Sequence, residues 1–105
     1  GALGGAGAAS SITGSAVTYA AGGQAYYSST VSADGTANRG NGGGGARGQN
    51  AGSNGWNGGS GIVVLSYPSS FADLTSIGAG LTYTKTTSGG NTIYTFTAGT
   101  GTVAV

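Results

Sequence analysis

The side chains able to carry charge or move a proton are few: Asp34, Asp73, Arg39, Arg47 and Lys85, with six tyrosines. There is no Cys, His, Met or Glu. General acid–base catalysis needs a group that exchanges a proton near working pH, usually a His or a tuned carboxylate. The two aspartates are far apart in sequence, and no local motif joins them. A serine nucleophile needs a base beside it, and only Lys85 offers even the formal partner. A zinc site needs a cluster of Cys, His or carboxylate ligands, which the composition does not supply. Gly43–Gly48 (GGGARG) matches G-x-G-x-x-G. A dinucleotide site would also require a following helix and an acid about 20 residues on. Neither is legible, so the match follows from glycine density. Gly59-Ser60-Gly61 lacks the spacing of a nucleophile elbow. The expectation is no enzyme, no metal and no cofactor.

The elements that would position any site are set by glycine. It fills 25 of 105 positions, with 19 in residues 1–61 and six in residues 62–105. This contrast divides the chain into a glycine-rich segment, 1–61, and a strand segment, 62–105, read as parts of one structural module. Many glycines fall every third residue: Gly1, Gly4, Gly7; Gly42, Gly45, Gly48; Gly52, Gly55, Gly58, Gly61. That beat matches neither an α-helix nor a strand, but it does match an extended threefold helix. Collagen is excluded in practice because Pro68 is the one proline. The expectation is a set of polyglycine II-type helices. Their backbones would approach closely because no Cβ intervenes, and they would hydrogen-bond to one another. The competing reading is a flexible linker. Ser11–Tyr19 and Tyr26–Ser32 have strand character, the first broken by Gly14 and the second followed by an Asp34–Gly35 turn signal.

The second segment reads as a small sheet. Ile62–Tyr67 (IVVLSY) is a continuous apolar run stopped by Pro68, the pattern of a buried central strand. Residues 68–77 form a connector with a helical turn at Phe71–Leu74. Leu81–Thr86 and Thr92–Thr97 alternate around Ser88-Gly89-Gly90-Asn91 and predict a hairpin. The fold class expected is all-β with little or no α-helix, the glycine helices packing on a small antiparallel sheet or sandwich. Thr102, Val103, Ala104 and Val105 form a last apolar strand. An unpaired strand is a template for another chain, so this one is expected to continue or to join a neighbouring subunit's sheet. A first residue other than Met reads as a processed chain or part of a longer one. The apolar side chains are too few to offset the backbone entropy of ordering so much glycine, so self-association is expected.

Net charge of +1 gives no electrostatic footprint for nucleic acid. No apolar run approaches the ~20 residues of a membrane-spanning helix. Tyr67, Tyr83, Tyr94 and Phe96 sit in strand patterns and read as core or sheet face. Tyr26, Tyr27 and Trp56 lie among small polar residues and are the candidates for surface or receptor contact, Trp56 first. Asn38, Asn41, Asn50, Asn54, Asn57 and Gln49 read as solvated edges, or as a neutral hydrogen-bonding surface for sugars or lateral packing. There is no N-x-[ST] sequon, while the many Ser and Thr leave O-glycosylation open.

Three stretches carry a resemblance: SSITGSAVTYAAGG (10–23), NGGSGIVVLSYPS (57–69) and NTIYTFTAGTGTVAV (91–105). The chain resembles a glycine-rich module of phage tail-fibre and tail-tip adhesin proteins and of large bacterial surface proteins. The resemblance implies an extracellular structural part that assembles with itself and contacts a host-surface glycan or outer-membrane protein. Two other readings remain open. One is a subunit of a bacterial or archaeal surface filament assembled by strand donation. The other is a carbohydrate-binding module using Trp56. The glycine runs are shorter than in that family, and the apolar strand that usually precedes them is missing.

Overall fold

The structure is a computed structural model that describes residues 4–24, 33–46 and 54–105. Its seven strands are β1 (Ala8–Ser10), β2 (Val17–Tyr19), β3 (Val63–Pro68), β4 (Ser76–Ile77), β5 (Thr82–Ser88), β6 (Asn91–Ala98) and β7 (Val103–Ala104). There is no helix among the described residues, and the fold is all-β. The chain forms two units: Gly1–Ala9 with Thr18–Gly61, and Ser10–Val17 with Ile62–Val105.

The sheet unit is built on β6. Its strand order is β3-β6-β5, both pairings antiparallel. Gly89 and Gly90 both have positive φ, 57° and 80°, the backbone that a two-residue type I′ hairpin demands. This turn closes Ser88 on Asn91 and so sets the β5–β6 register. With a strand on either side, β6 buries Thr92, Ile93, Tyr94 and Phe96. One face then aligns Val63, Leu65 and Tyr67 of β3 with Phe96, Tyr94 and Thr92 of β6. Tyr83, Lys85 and Thr87 of β5 complete it. Ile93 lies on the other face, which it shares with Ser88. Gly14 of the Ser10–Val17 loop lies against the Ser88 side chain.

Two expectations change here. The IVVLSY run is an edge strand, not a central one, and Val63 is 61% exposed. An apolar run signals a strand but does not say which strand takes the middle. β6 takes it because the tight hairpin and the antiparallel return of β3 both pair with it. The Phe71–Leu74 helical turn is absent. Instead the Phe71 N–H donates to the Pro68 carbonyl at 3.0 Å in a turn, and the chain runs on into β4. Ser11–Tyr19 is broken at Gly14 as its sequence suggests, with Ile12–Ser15 turning between β1 and β2 and the Gly14 N–H bonded to the Ser11 carbonyl.

The last strand, β7, pairs antiparallel with β4 of its own chain, Ile77 opposite Val103 and Ser76 opposite Ala104. The Thr75 N–H to Ala104 carbonyl bond (2.9 Å) and the Gly78 N–H to Thr102 carbonyl bond (2.8 Å) extend this ladder at both ends.

Candidate functional site

In the glycine-rich unit, extended segments are joined by backbone hydrogen bonds that belong to no strand. The Gly42 and Gly45 N–H groups donate to the Ala21 and Gln24 carbonyls, so donors and acceptors both advance by three in the same direction. The Trp56 and Gly59 N–H groups donate to the Gly44 and Asn41 carbonyls, again by threes but in opposite directions. Gly22 to Gly5, Gly35 to Asn57 and Gly44 to Ala33 tie in further segments. A β-ladder repeats every two residues, so these contacts follow a different period. Glycine sits where the backbones meet. A Cβ at Gly23 would run into the Gly43 carbonyl, and one at Gly43 into the Trp56 and Asn57 carbonyls.

Polar side chains stitch the same segments. Asn41 Oδ1 accepts from the Ala21 N–H (3.1 Å), and Asp34 Oδ1 accepts from the Asn57 N–H (2.9 Å). Ser60 Oγ accepts from the Asn38 N–H (2.9 Å) and donates to Asn38 Oδ1 (3.2 Å). These bonds give Asn38, Asn41 and Asp34 partners within the unit. An open groove of about 180 Å³ runs between the segments, lined in part by Gln24, Asp34, Thr36 and Asn41. It is smaller than the roughly 300–1,000 Å³ of pockets that enclose small molecules.

Of the sequence-predicted contact residues, Trp56 is half exposed while its backbone N–H is held by Gly44 at 2.9 Å. Tyr26, Tyr27, Arg47, Gln49 and Asn50 lie outside the described residues. Thr102–Val105 is placed beside β4, with Val103 and Val105 exposed.

In the sheet unit an aromatic row crosses the strands. Tyr67–Tyr94, Tyr94–Tyr83, Tyr83–Phe96 and Tyr94–Phe96 have ring centroids 6.2, 6.1, 5.8 and 6.4 Å apart. Such spacing suits offset contacts between rings. The connector after β3 crosses this face, where the Leu74 N–H donates to Tyr94 Oη (3.3 Å) and Lys85 Nζ pairs with Asp73 Oδ2 (2.5 Å). Thr92 Oγ1 donates to Ser69 Oγ at 3.2 Å. Burial, helped by the neighbouring Tyr94 hydroxyl, pushes the Tyr67 phenol above its ordinary value. The Asp73 carboxylate raises Lys85. The ion pair favours the charged form of Lys85. The alternation of Leu81–Thr86 and Thr92–Thr97 grouped Tyr83 with Lys85 and Tyr94 with Phe96, while strand pairing brings these and Tyr67 to one face. Nothing local marked Asp73 as the partner of Lys85, because the connector's path decides it.

Comparison with protein-family models, curated proteins and solved structures finds no match for this chain.

Proposed function

We propose that this chain is a structural module of an extracellular fibre, most like a part of a phage tail fibre or tail-tip adhesin, that works by assembling with copies of itself. The observation that carries the reading is the three-residue recurrence of inter-segment hydrogen bonds, with glycine at the closest backbone approaches. It supports polyglycine II-type helices packed side by side. Such packing makes a stiff surface from backbone alone and uses no catalytic group. Residue-resolved amide exchange tests the packing. Gly42, Gly45, Trp56 and Gly59 should exchange far more slowly than an unstructured chain, whereas a flexible linker leaves all four unprotected. Electron microscopy of the purified chain at increasing concentration tests the fibre role. Elongated assemblies are expected, and a uniform population of single chains at every concentration would count against it.

A second reading, glycan contact through Trp56, is favoured by its half-exposed ring on an anchored backbone. Trp56→Ala should then abolish glycan-array binding, and unchanged binding would remove this reading.

A further inference from the structure

We propose that the outer edge of β3 is a homotypic interface, in which two copies of this chain pair their β3 strands antiparallel about a twofold axis at Val64. The proposal rests on the self-assembly reading above and gives it a surface and a register.

The hydrogen-bond parity of β3 follows from its neighbours. The hairpin makes Ser88 and Asn91 the closing pair, and the Ser69 N–H donates to the Gly90 carbonyl at 2.9 Å. In an antiparallel pair, successive residues turn their N–H and C=O alternately toward and away from the partner. Val63, Leu65 and Tyr67 therefore face β6, and Ile62, Val64 and Ser66 turn their backbone groups outward. Pro68 falls on the outward beat, where its missing N–H costs β6 no bond. Among the described residues no backbone group pairs with Ile62, Val64 or Ser66 on that side.

The opposite edge of the sheet differs. β5 carries Lys85, tied to Asp73, and has a register shift between Thr82 and Tyr83. Charge and irregularity are what keep an edge from adding strands. The β3 edge is uncharged and regular. Its natural occupant is a strand of equal length and neutral character, and β3 of a second copy is that strand.

The rungs favour the Val64 register over the one centred on Leu65. With Val64 opposite Val64 of the partner subunit, Ile62 meets Ser66 of the partner subunit, and every outward N–H of these residues finds a carbonyl. A shift that centres the axis on Leu65 sets Ile62 against Pro68, which has no N–H to give. The Val64 register also places Val63 beside Leu65 of the partner subunit, in the non-hydrogen-bonded position where side chains come closest. Val63 and Leu65 are 61% and 36% exposed and lie on the same face, so each covers the other. The aromatic face then runs on across both copies.

The test uses the full chain and sedimentation velocity over a wide concentration range. Wild type should form a species of twice the single-chain mass as concentration rises, before any longer assembly. Val64→Pro removes the N–H at the axis while leaving the β3–β6 bonds, and Val63→Lys puts a charge at an exposed position. Both should stay single at concentrations at least ten times the wild-type midpoint, with an unchanged β-type circular dichroism spectrum. Val64→Cys, the sole thiol in the chain, should form a symmetric disulfide, because Cα atoms about 5.5 Å apart are within disulfide reach. Assembly that persists in both Val64→Pro and Val63→Lys overturns the interface and leaves self-association standing. Open-ended growth without a dimer overturns the twofold. A wild type that never associates overturns both the interface and the reading beneath it.

Discussion

Gly23→Ala should damage the glycine-rich unit, while Gly5→Ala should not. Both replace glycine with a residue of better intrinsic order, and both lie in the same low-complexity stretch. They differ in what the added methyl meets. At Gly23 it would land on the Gly43 carbonyl, 2.5 Å from its carbon. At Gly5 nothing lies within 4 Å. Relieving the first clash means parting two backbone segments by an ångström or more. Overpacking of this kind costs about 1–3 kcal/mol. The flanking Gly42–Ala21 and Gly45–Gln24 bonds are weakened as well, at about 1 kcal/mol each. The sum is a loss of about 3–5 kcal/mol for Gly23→Ala. Gly5→Ala should instead gain about 0.4–1 kcal/mol by restricting the unfolded chain. The assay is urea unfolding followed by fluorescence of Trp56, the single tryptophan, which belongs to the same unit. Equal midpoints for the two variants, or no cooperative transition in wild type, would refute the packing argument and favour the linker.

Ile93 is the most deeply buried side chain among the described residues, at 1% exposure. Ile93→Ala should cost the sheet unit about 2–4 kcal/mol in chemical denaturation, and a loss under 1 kcal/mol would mean that the central strand is not its core. Ala20 has φ of 57°, a conformation that penalises any side chain. Ala20→Gly should therefore raise stability by up to about 1 kcal/mol, and a clear loss would contradict that backbone. Tyr67 and Lys85 both have folded-state values above their ordinary 10.0 and 10.5. Their contributions are complete below the ordinary values and vanish as pH rises through the folded ones. Melting temperature should therefore fall as pH rises above about 10, and fall less in Tyr67→Phe. A flat profile there would reject the assignment.

Much of this architecture is written in local pattern. The hairpin at Ser88–Asn91 needs two residues of positive φ, which Gly-Gly adopts freely, so the turn and the two strands it joins were legible together. The three-residue glycine beat was visible in sequence too, but only part of it marks close backbone approach: a Cβ would clash at Gly4, Gly7 and Gly42, and would not at Gly55, Gly58 or Gly61. The lack of His, Cys and Glu likewise narrows the available chemistry from composition alone. What depends on distant parts of the chain was not legible. Ile62–Tyr67 looks like a core strand in sequence, yet the place of β3 at the edge depends on β6 pairing on both sides. Val103–Ala104 looks like a free strand, yet its partner is Ser76–Ile77, a stretch with no strand signal of its own. Asp73 finds Lys85 only because the connector crosses the aromatic face. Periodicity reports which side of an element is apolar. Which element lies beside it is settled by long-range backbone pairing, and that is where the tertiary structure decided.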